Sequence, residues 1–186
     1  MLTVSLLVCA MMALTTAGDA SNYTDVTSNY TDVASINTVD TSINTDDASN
    51  YTDGPSCPAS WNKHNDRCFL YVPRALDWAD AEKNCLSLKG NLASVHSVEE
   101  YQFIQTMITQ HTHGNPITWI GGTDSQKNNA WFWSDGRPFS FTFWCAGEPN
   151  NAGGNQNCIE MNYGVHNCWD DIQCSNTLPS VCATNL

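Results

Sequence analysis

The chain has 186 residues, with seven Lys and Arg against 19 Asp and Glu, and its net charge is -12. This length accommodates one folded domain of ordinary size with some chain left over. Nucleic acid is not an expected partner, because binding to its phosphates needs a basic surface.

The first 17 residues predict a secretory signal peptide. Residues 6–14 are an apolar run, and the small residues 15–17 suit a signal peptidase. No Lys or Arg precedes Lys63, so the prediction depends on the apolar run and the cleavage site alone. A membrane anchor is the alternative, but the run is too short to cross about 30 Å of hydrocarbon. We expect a secreted, extracellular protein without a membrane anchor.

Residues 18–56 predict a disordered acidic tail. Between residues 19 and 53 there are seven Asp and no Lys or Arg, and the sequence SNYTD occurs three times. Each copy contains an Asn-x-Thr acceptor, which makes Asn22, Asn29 and Asn50 candidate N-glycosylation sites. Two interpretations remain open for this segment, a glycosylated stalk and a plain acidic spacer.

Two helices are predicted in the first half of the remaining chain. Asp77 is the expected N-cap of the first helix, and Gly90 is its expected stop. Ser97 and Glu100 form a capping box at the start of the second. The positions expected to face the core are Trp78, Ala81, Cys85 and Leu88 in the first helix, and Val98, Tyr101, Ile104 and Ile108 in the second.

Residues 138–158 are rich in Gly, Asn and Pro and predict an irregular surface loop. The loop contains Glu148-Pro149-Asn150 and Gln156, and Asp170 and Asp171 follow it. Calcium takes about six to eight oxygen ligands, and it prefers such a mixture of charged and neutral oxygens. A calcium site is therefore predicted, and a polar loop without a metal is the alternative.

Further motifs occur in order along the chain. They are Cys57-Pro58 with Trp61, Trp78-Ala79-Asp80-Ala81-Glu82 before Cys85, Trp119-Ile120-Gly121-Gly122, and Trp133-Ser134-Asp135-Gly136. With the calcium motif, this ordered set resembles the C-type lectin family. The resemblance implies an α+β fold for residues 57–186, a C-type lectin-like domain with two helices, mixed short strands and a long calcium-binding loop.

Eight cysteines remain once Cys9 leaves with the signal peptide, and about a hundred pairings of them are possible. The C-type lectin resemblance implies four disulfides, namely Cys57 with Cys68, Cys85 with Cys182, Cys158 with Cys174, and Cys145 with Cys168. Zinc binding by His166, Cys168 and Cys174 is the alternative, although export favours oxidation of the thiols.

The same resemblance implies the roles of the site residues. In this family, five side chains hold a calcium ion, and the sugar places two vicinal hydroxyls on it. The matching positions, expected to bind both metal and carbohydrate, are Glu148, Asn150, Gln156, Asp170 and Asp171.

Two of these positions depart from the mannose-type pattern that Glu-Pro-Asn marks. That pattern has Glu where this chain has Gln156, and Asn where it has Asp170. The exchange places hydrogen-bond acceptors on one side of the metal and donors on the other, which is the galactose-type arrangement turned about a pseudo-two-fold axis. Our hypothesis is that galactose-type glycans bind as well as, or instead of, mannose-type glycans.

The Cys145 and Cys168 pair also resembles the type II antifreeze proteins of fish, which share the C-type lectin fold. An ice binder needs a flat, regular surface, and the nearest candidate is the row Thr106, Thr109 and Thr112. The prediction is a secreted, calcium-dependent lectin for innate recognition of glycans, with ice binding as the alternative. Enzymatic activity is not expected, because no nucleophile, base and oxyanion set accompanies the paired aspartates.

Overall fold

The computed structural model describes residue 54 and residues 56–186. The signal peptide, nearly all of the acidic tail and the candidate glycosylation sites Asn22, Asn29 and Asn50 lie outside the described residues. Within the described part, the helices are too short or too polar to span a bilayer.

The described chain forms eight strands, two α-helices and a single 3-10 turn at Ala152–Gly154. The strands are β1 (Asn62–His64), β2 (Arg67–Leu76), β3 (Asn91–Leu92), β4 (Thr118–Thr123), β5 (Phe132–Trp133), β6 (Cys158–Tyr163), β7 (Cys168–Ile172) and β8 (Leu178–Asn185). The helices are α1 (Trp78–Ser87) and α2 (Val98–Thr112). The predicted α+β class is therefore confirmed.

All eight strands belong to one mixed sheet in the order β1-β2-β8-β4-β6-β7, with β3 on β8 and β5 on β4. β4 and β8 pair in parallel, whereas the other strand pairs are antiparallel. The β6–β7 hairpin therefore lies at one edge of the sheet, and β1 lies at the opposite edge.

Helix α1 begins as predicted, because the Asp77 side chain accepts a hydrogen bond from the backbone N of Asp80 at 2.8 Å. Ala81 and Cys85 are buried. Leu88, expected on the same face, is 40% exposed, because it follows the last helical turn.

Gly90 does not end α1 in the way predicted. Lys89 is the residue with left-handed backbone, at φ 67°. A Cβ on Gly90 would lie 2.5 Å from the carbonyl oxygen of Ala183 in β8, so glycine is required for close approach of this segment to the sheet.

Helix α2 begins with half of the predicted capping box. The Ser97 hydroxyl accepts from the backbone N of Glu100 at 3.2 Å, but the Glu100 carboxylate accepts from the backbone N of His96, at 2.8 Å. Val98 is 38% exposed, and Met107 is a buried position that the sequence pattern missed.

Two hydrophobic clusters stabilise the domain. One joins α2 to residues such as Trp133 and Trp169, and the other joins α1 to Trp119. Trp119 and Trp169 are fully buried, so burial of their large apolar surfaces is a major stabilising contribution.

Four disulfides link the described residues, and their pairs are those that the resemblance implies. They are Cys57–Cys68, Cys85–Cys182, Cys145–Cys168 and Cys158–Cys174. Since Cys168 and Cys174 are oxidised, they offer no thiolate, and the alternative of a zinc site is wrong.

Candidate functional site

The long loop between β5 and β6, residues 134–157, places Glu148 beside β7. Its backbone docks on Trp169 through two hydrogen bonds, from Cys145 N to the Trp169 carbonyl at 2.9 Å and from Trp169 N to the Phe143 carbonyl at 2.8 Å. The Cys145–Cys168 disulfide fixes the same contact covalently. The loop reaches Glu148 three residues later, and the Glu148–Pro149 peptide bond is cis.

Three carboxylates meet where this loop passes β7. Glu148, Asp170 and Asp171 each offer one oxygen, and these oxygens lie within 4.8 Å of one another. Asp170 and Asp171 are 7% and 1% exposed. Burial, together with the charges of Glu148 and Asp171, raises the pKa of Asp170 to about 7. Ionised carboxylates this close repel one another, and a cation between them would remove the repulsion.

Asp171 also anchors the loop through its backbone. Its two carboxylate oxygens accept from the backbone N of Asn150 at 2.9 Å and of Asn151 at 2.8 Å. The Asn151 side chain in turn accepts from the backbone N of Gln156 at 2.9 Å. Asn151 therefore connects Asp171 to Gln156 by two consecutive hydrogen bonds.

Three side-chain oxygens in this region are buried and have no hydrogen-bond partner: Glu148 Oε2, Gln156 Oε1 and Asp170 Oδ1. A buried acceptor without a partner costs about 1–3 kcal/mol, so such atoms indicate a missing donor or cation. All three are hard oxygen donors, two of them from carboxylates, and this set fits calcium.

Asn150 is also a predicted ligand, but its environment differs from that of the three buried oxygens. It is exposed, and its Oδ1 accepts from the backbone N of Ala152 at 2.8 Å. A carbonyl oxygen has a second lone pair, so the side chain can still coordinate a metal.

Sequence reasoning missed two residues of this region. Glu160 in β6 pairs with Asp170 across the hairpin, and burial together with the charge of Asp170 raises its pKa to about 8. A glutamate between Ile159 and Met161 in the strand sequence was the available signal. Asn151 has left-handed backbone at φ 45° and positions Gln156. An Asn after the motif does not by itself predict that role.

The sequence profile described as "Lectin C-type domain" matches residues 74–184. The chain belongs to the C-type lectin family. Ladderlectin of Oncorhynchus mykiss is 39% identical over 97% of this chain and 91% of that protein. The lactose-binding lectin l-2 of Anguilla japonica is 41% identical over 70% of this chain and 80% of its own length.

Among solved structures, the herring type II antifreeze protein is similar to this C-type lectin chain. It is 40% identical and superposes with a TM-score of 0.66 over 70% of this chain and 99% of that one. The predicted family and fold are confirmed. The relatives are lectins and antifreeze proteins rather than enzymes, which agrees with the prediction of no enzymatic activity.

Proposed function

We propose that the protein is a secreted lectin that binds glycans through a calcium ion. The ligands of the ion are Glu148, Asn150, Gln156, Asp170 and Asp171. The observation that carries this proposal is the set of buried oxygens without partners on Glu148, Gln156 and Asp170. The ion supplies a positive centre to which sugar hydroxyls coordinate, while the side chains exchange hydrogen bonds with those hydroxyls.

We propose three segments for a chain with this function. Residues 1–17 act as the signal peptide, residues 18–56 form an acidic tail, and residues 57–186 form the lectin domain. The tail carries N-linked glycans at Asn22, Asn29 and Asn50, as expected for Asn-x-Thr acceptors in a secreted chain.

We propose further that the site prefers galactose-type ligands. The carboxylates of Glu148 and Asp170 interact directly, so the two strongest acceptors lie side by side. Gln156 and Asn150 then provide the amide donors. A relative named as a lactose-binding lectin, 41% identical to this chain, supports the same preference, since lactose contains galactose.

Exchanging the two unusual residues is expected to reverse this preference. Gln156→Glu with Asp170→Asn restores alternating acceptors and donors, so the ratio of galactose to mannose affinity should fall at least about tenfold. Retention on galactose and mannose columns in calcium measures the ratio. Gln102→Glu with Asp66→Asn makes the same chemical changes at exposed positions and serves as the control. An unchanged ratio in the site variant would refute the proposed basis of selectivity.

Calcium binding is expected to weaken as pH falls below about 7. The pKa of Asp170 in the metal-free site is about 7, so below that pH a proton must leave before calcium binds. Affinity should fall by up to about tenfold per pH unit on the acid side and level off on the alkaline side. Calcium titrations across this range measure the trend, and Asp170→Asn should flatten it near pH 7. A pH-independent affinity in the natural protein would contradict this origin.

Ice binding is the second candidate, and the 40% identity to herring antifreeze protein favours it. The outer face of α2 has an open surface lined by neutral polar side chains, namely Gln102, Gln105, Thr106, Thr109, Gln110 and Asn115. Thr112 lies outside this surface, and its hydroxyl bonds to the Ile108 and Gly114 carbonyls. The exposed row is thus shorter than the sequence suggested. We expect that solutions of the protein show no thermal hysteresis. If the natural protein does show hysteresis and Thr106→Asn removes it, ice binding would be established instead.

A further inference from the structure

A small polar cavity lies near the opposite edge of the sheet from the calcium ligands. Its volume is about 140 Å³, and it is bordered by β2, the end of β8, the segment after α1 and the turn after β5. Its wall shares no residue with the proposed calcium site, and β8, β4 and β6 separate β2 from β7 in the sheet.

Cationic side chains are concentrated at this cavity. Arg67, Lys89 and Arg137 all line it, and they are three of only seven Lys and Arg in the whole chain. Asp135 is the one acidic residue among the described residues of the wall. Residues 54–186 contain seven Lys and Arg against 12 Asp and Glu, so three cations around one cavity are a local concentration of positive charge in an acidic domain.

Arg67, which lines this cavity, has an unused donor. The residue is 7% exposed, and its Nη1 donates to the Ser94 carbonyl at 3.0 Å and to Glu100 Oε1 at 2.5 Å. Its Nη2 donates to Ser94 Oγ at 2.9 Å. Nε is buried and has no partner. A buried N–H without an acceptor is costly, so this atom on a residue of the cavity wall supports an anionic ligand at the cavity.

Nearby carboxylates leave the cavity positive. Glu100 pairs with Arg67, and Asp135 lies 3.9 Å from Arg67 Nη2 and 3.7 Å from Arg137 Nε. Among the described residues that line the cavity, three are basic and one is acidic, so the wall itself has an excess of positive charge. Arg137 also donates to the Asn185 side chain, which holds its guanidinium at the cavity wall.

We propose that this cavity binds a phosphate group, either as the free ion or as a phosphomonoester of a larger ligand. Two guanidinium groups and an ammonium are the groups that recognise a tetrahedral oxyanion, by charge-assisted hydrogen bonds. The cavity is too small and too polar for the apolar faces of a large ligand. Lys89 is exposed, and its position after α1 lets it reach an anion from the solvent side.

Phosphate titration of the full mature chain, in calcium-free buffer with chloride at equal ionic strength as reference, tests the site. We expect saturable binding to one site, weakened about tenfold by Lys89→Gln and by Arg137→Gln. Lys83→Gln removes the same charge from the exposed surface of α1 and is expected to leave the affinity unchanged. Near-ultraviolet circular dichroism checks that each variant is folded.

Comparison of methyl phosphate with inorganic phosphate distinguishes the two sources of the ligand, and saturable binding of either supports the site. No binding beyond that of chloride would overturn the proposal. An equal loss of affinity in Lys83→Gln and Lys89→Gln would also overturn it, because the effect would then be general electrostatic attraction.

Discussion

Asp171→Asn is expected to weaken calcium binding by about a hundredfold or more and to abolish sugar binding with it. Asp171 is 1% exposed and belongs to the three-carboxylate cluster. It also accepts from the backbone N–H groups of Asn150 and Asn151, so in the proposed site it would both attract the ion and hold the loop around it. The substitution removes the charge, and it turns one of these acceptors into an amide donor that faces a backbone N–H.

Calcium titration and sugar-column retention measure both effects in the same protein. Asp66→Asn is the matched control, because Asp66 is exposed in the turn between β1 and β2. An Asp171→Asn protein that keeps calcium affinity within a few-fold of the natural chain would show that the ion, if bound, lies elsewhere.

Arg67→Met is expected to lower the free energy of unfolding by about 3–5 kcal/mol. The guanidinium satisfies the buried Glu100 carboxylate and two oxygens of Ser94, and it lies near Asp135. Met fills a similar volume but leaves Glu100 buried with an uncompensated charge. The cost therefore arises from the group left behind more than from the ion pair itself.

Urea unfolding in the presence and absence of calcium measures this loss. The double variant Arg67→Met with Glu100→Gln removes the unpaired charge of the Glu100 carboxylate and should recover part of the stability. Lys83→Met breaks the exposed ion pair with Asp80 and should change stability little, because solvent screens that pair. Equal losses for Arg67→Met and Lys83→Met would contradict the assigned role of the buried network.

Local signals in the sequence predicted the helix starts correctly. Asp77 and Ser97 cap their helices through hydrogen bonds to residues three positions later, and such contacts depend only on nearby sequence. Predictions at the helix ends were less accurate. Leu88, which follows α1, and Val98, the first residue of α2, continue the apolar pattern but are 40% and 38% exposed.

Long-range contacts explain what the sequence could not reveal. The need for glycine at position 90 comes from the Ala183 carbonyl, which is more than ninety residues away in the sequence. Arg67, Glu100 and Asp135 likewise come together only when β2, α2 and the turn after β5 pack.

The proposed calcium site was more predictable than these contacts, because its candidate ligands form a compact family motif. The motif identified the residues Glu148 and Asp171, which the structure brings into one cluster. It did not reveal Glu160, which joins the site through cross-strand pairing with Asp170, or Asn151, whose role depends on the turn of the loop.

Calorimetric titration of the protein with galactose, in calcium and then in excess chelator, tests the central proposal most directly. We expect a heat of binding in calcium that disappears with chelator and returns when calcium is restored. If the protein binds calcium but binds neither galactose nor mannose, the lectin function is contradicted. Sugar binding unaffected by chelator would contradict the metal-centred site.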